Sequence, residues 1–284
     1  MIRLLLFVML FILPRASHTQ NKSKNASLNY NPAMQRFLIK FAGNYVHNIY
    51  QWQIDYDSSI VLACECEGLN HSLFVSESFD DGSALPGKEL IESKNIPAAI
   101  QLLTTLHGVE RIKLLLQLGG YFLFKPGTDK EDMLNAHNYL TEALTLSDTL
   151  RIPRWMNGSL NMVGKYFYQT GDLSKSKTYF SEVVDACNKS GDMTTLARAL
   201  GERGFYASFS DTSKLSDFNR ALELFRKQND RIGQLEMLSK LSEIHFIQKL
   251  WQECEKEWLE SLDLAKEIGF RHIHFYYDAL AFIE

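Results

Sequence analysis

A chain of 284 residues in which 45% of positions are hydrophobic can bury a substantial core, and that excludes wholesale disorder. Its 30 Lys and Arg against 34 Asp and Glu give a formal net charge of -4, so no basic surface is available to neutralise a nucleic-acid backbone. Six prolines and 16 glycines are too few for the many turns of an all-β sandwich of this length, which makes helix the expected secondary structure.

The N-terminus reads as an export signal. Met1-Ile2-Arg3 supplies a short positive region, Leu4 to Leu13 is unbroken apolar sequence, and Pro14-Arg15-Ala16-Ser17 brings a breaker and small residues where a peptidase could cut. A run of that length is about half of the roughly 20 residues that a bilayer-spanning helix needs, so a cleaved signal over residues 1–19 is favoured over an anchor. Residues 20–30 are polar and are expected to form a flexible lead-in. The expected location is outside the cytoplasm, periplasmic or extracytoplasmic. Cys64 and Cys66 stand two apart, while Cys187 and Cys254 are isolated. That spacing matches no metal site and reads as small buried apolar residues.

From residue 59 onward a pattern recurs about every 39 residues. A large or aliphatic residue is flanked four positions earlier and three positions later by residues that are mostly small. The sets are Ser59/Ala63/Cys66, Ala99/Leu103/Leu106, Ala136/Leu140/Ala143, Ser176/Phe180/Val183, Lys214/Phe218/Ala221 and Cys254/Trp258/Ser261. Offsets of minus four and plus three share one helical face, where small residues admit a second helix and the large one fills the gap. Lys214 breaks the rule. A second amphipathic stretch and a turn precede each set, as in Leu235, Leu238, Leu241 and Ile244 before Trp258, or Thr170-Gly171-Asp172 before Phe180. The unit is helix, tight turn, helix. Such a pair cannot bury its apolar face alone, whereas stacked copies can, so the period predicts a solenoid with Ala63, Leu103, Leu140, Phe180, Phe218 and Trp258 buried on the second helices.

These residues resemble a tetratricopeptide repeat. Leu160 to Asp172, with Gly164, Phe167 and Gly171-Asp172, followed by Ser176, Phe180 and Val183, carries the family's order of large, Leu-Gly, aromatic, Gly-Asp, small, aromatic, small. Leu118-Gly119 with Phe122, Ala136, Leu140 and Ala143 is similar, with a longer turn through Lys125-Pro126-Gly127. Leu200-Gly201 with Phe218 and Ala221 also fits, as does Leu241-Ser242 with Trp258 and Ser261; together the four cover residues 112 to 268. The resemblance implies an all-α, right-handed solenoid of antiparallel helix pairs, with divergent repeats over 31–110 and tetratricopeptide repeats over 111–284. In the divergent part, Pro86 occupies a position that should be helical, and Phe79 to Pro86 is irregular. Residues 271–284 carry Ile273, Tyr276, Tyr277, Leu280 and Ile283, a stripe like the first helix of a further repeat, so a truncated C-terminus is expected, with packing back on the preceding pair as a closing helix the alternative.

Behind an export signal, units of this length look like the extracytoplasmic repeat region that precedes the membrane helix of sensor histidine kinases in Bacteroidetes-type bacteria. The resemblance implies a noncatalytic module for a protein or peptide ligand, serving a two-component sensor; a periplasmic scaffold or uptake accessory is the alternative. Membrane contact would come only through the signal segment or a missing C-terminal part. No cofactor, metal or catalytic constellation is expected. His272 and His274 fall on different helical faces, Gly119-Gly120-Tyr121 sits inside a predicted helix and so is no phosphate cradle, and Glu65, Glu67, Asp80 and Asp81 read as solvated surface. In a tetratricopeptide solenoid the first helices line the concave side. Counting from the matched Leu-Gly pairs places Asn161, Lys165 and Tyr168 there, then Arg198, Glu202 and Phe205, then Glu243 and Phe246. Aromatic rings interleaved with polar groups suit an extended peptide, although aromatics at helical spacing equally suit packing between helices.

Overall fold

A computed structural model describes residues 84–125, 128–207, 211–269 and 274–283, and every regular element among them is α-helical. The expected signal segment, the lead-in, Ala63 and the Cys64/Cys66 pair lie outside the described residues. The elements are α1 (Lys88–Glu92), α2 (Ile96–Leu103), α3 (Gly108–Phe124), α4 (Lys130–Leu150), α5 (Pro153–Gln169), α6 (Leu173–Ser190), α7 (Met193–Tyr206), α8 (Ser213–Lys227), α9 (Arg231–Gln248), α10 (Trp251–Glu267) and α11 (His274–Ile283). Each packs on its neighbour in sequence, most extensively α3 on α4, α5 on α6, α7 on α8 and α9 on α10.

The turns follow from local chemistry. Asp129 and Asp132 form a reciprocal capping box at the start of α4. The side chains of Asp172, Asp192 and Asp230 accept the Lys175, Thr195 and Gly233 amides at the starts of α6, α7 and α9. Pro153 opens α5, where its missing N–H costs nothing, and Gly171 and Gly191 take the left-handed conformation that ends α5 and α6.

Four of the expected core residues, Leu103, Leu140, Phe180 and Phe218, are buried. Trp258 is not: it is half-buried and packs on the edge of the core, as befits an indole, which is large enough that it is seldom covered completely. Leu106 lies beyond the end of α2, so the plus-three flank of the earliest described unit is not helical. That unit is reduced throughout. Pro86 and the left-handed Gly87 delay α1 to Lys88, leaving it 5 residues long. The segment before it is held to α3 instead, with Lys113 Nζ donating to the Ala84 carbonyl at 3.2 Å and Gln117 Nε2 to the Pro86 carbonyl at 2.9 Å.

Small residues admit the large ones, as the pattern requires. A Cβ on Gly119 would sit 2.4 Å from Leu140, and one on Gly164 would sit 3.0 Å from the Phe180 ring. In the third unit the fit uses a different glycine from the expected one. Phe218 lies over Gly204, where a Cβ would come within 2.7 Å of the ring, whereas Gly201 faces Met237. The core is continuous through the described residues because α5 feeds both of its halves, Leu160 toward α6–α11 and Trp155, Met162 and Val163 toward α1–α4.

Polar side chains also bridge residues about one unit apart. Lys177 Nζ meets Asp211 Oδ2 at 2.6 Å across 34 residues, Arg226 Nη2 meets Glu260 Oε1 at 2.5 Å across 34, and Arg220 Nη2 donates to Asn188 Oδ1 at 2.7 Å across 32. The last two link α6 to α8 and α8 to α10.

Candidate binding face

The nominated residues lie on α5, α7 and α9, and several of them meet. Lys165 is 2% exposed; its Nζ sits 3.2 Å from Glu202 Oε2 on α7 and 5.4 Å from the centre of the Tyr206 ring. Tyr206 was not among the nominated residues, yet it is the hub of this end. It stacks on Phe180 with centroids 5.2 Å apart, takes Tyr168 edge-on at 5.1 Å and Phe205 at 4.7 Å. Burial pushes the Tyr168 phenol above its ordinary range. The ring therefore joins the nominated face to the core of the α5–α6 pair.

A second group forms around Phe205. Lys240 on α9 places its Nζ 5.2 Å from the Phe205 ring and 3.0 Å from Glu243 Oε2. The attraction of an ammonium to an aromatic face, strengthened by partial burial, ties α9 to α7 beside the Lys165–Glu202 bridge. Phe246 is half-buried and leans on Trp251 and Trp258, at 5.5 and 5.9 Å between centroids.

The remaining two nominated residues differ in kind. Arg198 is exposed and stands on α7 one turn before Glu202. Asn161 stands one turn before Lys165 on α5, half-buried, with its Oδ1 shielded from solvent and accepting no hydrogen bond among the described residues. The face therefore holds one exposed cation, one shielded acceptor without a hydrogen bond among the described residues, and a chain of paired charges laid over aromatic rings.

Sequence reasoning missed Tyr206 and Lys240 as members of this face. Tyr206 and Lys240 stand one and three positions from nominated residues, so a helix-offset count that tolerated one step would have reached Tyr206. Nothing in the sequence marks Lys240 as the partner of Phe205, since the two are joined only through the packing of α7 on α9.

Two other polar clusters lie between helices. Asp217 takes a two-pronged hydrogen bond from Arg203, at 2.8 and 2.6 Å, fastening α7 to α8. His245 Nδ1 lies 2.9 Å from Glu257 Oε2 between α9 and α10, and burial pushes the Glu257 carboxyl up while His245 opposes the rise. Cys187 and Cys254 are free and buried, with thiols raised by burial to about 11 and about 12, so they pack as apolar groups rather than reacting as thiolates. Among the described residues, no group of three or more His, Cys, Asp and Glu side chains is placed to hold a metal ion, and no helix is long and apolar enough to cross a membrane.

No protein-family profile matches the chain, and no curated protein is similar to it.

Proposed function

We propose that the chain is a noncatalytic, tetratricopeptide-like repeat module that binds a peptide or protein segment along the face formed by α5, α7 and α9. Stacked units in a right-handed solenoid would account for side-chain bridges that recur 32 to 35 residues apart and for the large-over-glycine contacts of successive pairs. The observation that carries the binding role is the row of aromatic rings and charges on three successive first helices. Tyr168, Phe205 and Phe246 supply contact area, while Arg198 is an exposed charged group available to a ligand. Residues 1–19 would deliver the module out of the cytoplasm, where a sensor of the two-component class is the reading that the sequence supports best.

Selection of a displayed random-peptide library on the purified chain tests the binding role, with calorimetry on the selected peptides. Arg198→Ala and Tyr168→Ala should each weaken the selected peptides about tenfold while leaving the circular dichroism unchanged. Lys165→Ala is not a test of binding, because Lys165 is 2% exposed and its removal takes a packed side chain and one member of the Lys165–Glu202 pair out of the interior, which attacks the fold instead. Selected peptides that bind both variants as well as the unaltered chain would show that another surface is used.

A further inference from the structure

The position four residues before the central large residue is small and fully buried in the other described units: Ala99, Ala136, Ser176 and Cys254 are all 0% exposed. Lys214 takes that position in the α7–α8 pair. The α7–α8 pair nevertheless keeps its close approach, with Phe218 1% exposed over Gly204, and a sequence that breaks its own rule at one position commonly does so for function.

The structure shows where the extra charge goes. Lys214 is half-buried, and its Nζ donates to the Ala207 carbonyl at 3.2 Å, at the end of α7 and two residues from Phe205. Lys240 reaches the same end of α7 from α9, over the Phe205 ring. Two ammonium groups thus converge on residues 205–207, and the carboxylate beside them is Glu243, 3.0 Å from Lys240. Asp211, the next acidic group along the chain, is already engaged by Lys177 at 2.6 Å and by the Ser213 hydroxyl and amide. Lys214 shares Glu243 with Lys240 and Asp211 with Lys177, so among these groups three lysines stand against two carboxylates. Burial pulls the Lys214 ammonium below its ordinary range, opposed by Glu243 and Asp211 and reinforced by Lys240. A surplus charge held away from water is costly unless an anion compensates it.

We propose that Lys214 and Lys240, above Phe205, form a recognition point for a carboxylate of the bound segment, so that the module prefers acidic peptides. The inference rests on the peptide-binding reading and narrows it to one ligand chemistry. Phe205 and Glu243 keep part of their surface open, so a carboxylate arriving along the α5–α7–α9 face meets the two amines there while its neighbours lie on the aromatic row. Glu243 sets the register, since it repels an acidic group placed one step too far along α9.

Fluorescence anisotropy with labelled hexaglutamate, hexaglutamine and hexalysine tests this on the whole chain. Hexaglutamate should bind at least about tenfold more tightly than hexaglutamine, the ratio expected for a charged hydrogen bond made in place of a neutral one, and hexalysine should bind most weakly. Lys214→Met keeps the aliphatic stem and removes the charge; it should abolish the preference without lowering the melting temperature, whereas Lys214→Arg should retain it. Equal binding of hexaglutamate and hexaglutamine, or a preference that survives in Lys214→Met, overturns the carboxylate point. If none of the three binds while library-selected peptides do, the carboxylate point fails and the peptide-binding reading stands. If nothing from the library binds either, the peptide-binding reading fails with it.

Discussion

The α5–α6 and α7–α8 pairs follow the same plan with different degrees of regularity. In α5–α6 a tight Thr170-Gly171-Asp172 turn is closed by the Asp172 cap, Gly164 takes the Phe180 ring, and Ser176 is fully buried beside it. In α7–α8 the connection is longer, Thr212 precedes the second helix without a side-chain cap, Gly204 takes the ring in place of Gly201, and Lys214 stands where Ser176 does. Phe180 and Phe218 are nevertheless both 1% exposed. The burial of one large side chain over a glycine is what the two pairs must share, and turn, cap and flank can vary around it.

That lesson is tested most severely by truncating the two rings. Phe180→Ala and Phe218→Ala should each cost about 3 to 5 kcal/mol in chemical denaturation, because each leaves a ring-sized cavity between close-packed helices. The two losses should be similar despite the irregular turn of α7–α8. A Phe218 variant that loses less than half as much as the Phe180 variant would show that the irregular pair is loosely packed and that its low exposure misleads.

The glycines sharpen the comparison within α7 itself. A methyl on Gly204 meets the Phe218 ring at 2.7 Å, and a ring wedged in the core cannot retreat as a flexible chain end can. Gly204→Ala should therefore destabilise by about 1 to 3 kcal/mol. At Gly201 the methyl meets the far end of Met237, 3.1 Å away, and the unbranched side chain can swing aside. The helix-propensity gain of about 1 kcal/mol for Gly to Ala then offsets the crowding, and Gly201→Ala should stay near neutral by the same measurement. The reverse order would restore Gly201 as the helix-contact glycine.

These positions also show what was legible in the sequence. Gly164 under Phe180 could be read directly, because the turn between them is short and both helices keep uninterrupted phase. Gly204 could not, because a longer connection lets the second helix slide by about one turn, and residues three apart on a helix share a face. Lys165 reads as a surface lysine on any helical wheel. It is 2% exposed because Glu202, 37 positions away, and the Tyr206 ring cover it, and a pairing across units leaves no local signature. Trp258 was misjudged for a related reason: the pattern records that a large residue is present but not how completely its neighbours cover it. The helical class and the succession of pairs were set by periodicity and by turn chemistry such as that of Gly171-Asp172, which acts within a few residues of itself.

The smallest effect concerns how the two pairs are joined. Asp211 holds the beginning of α8 to α6 through Lys177, and its carboxyl is pulled down to about 2, first by that hydrogen bond and then by the Ser213 hydroxyl and amide, with burial opposing. The folded chain thus binds this proton less readily than the unfolded chain does. A carboxylate of this kind stabilises fully above its unfolded range, near pH 4, and the contribution fades as pH falls through the folded value. Lys177 is 51% exposed, so solvent and salt screen much of the pair, and the change in slope should be modest. Unfolding measured between pH 5 and pH 2 should show Asp211→Asn less stable than the unaltered chain at pH 5, with the two curves converging toward pH 2. Lys177→Met should reproduce part of that convergence, whereas Asp172→Asn should leave the Lys177 dependence intact, because Asp172 is bonded to Lys175 within its own pair. Parallel curves for Asp211→Asn and the unaltered chain would mean that the bridge is too solvent-exposed to couple α6 to α8, and that the apolar core, the Lys165–Glu202 pair and the Arg220–Asn188 hydrogen bond join the two pairs without it.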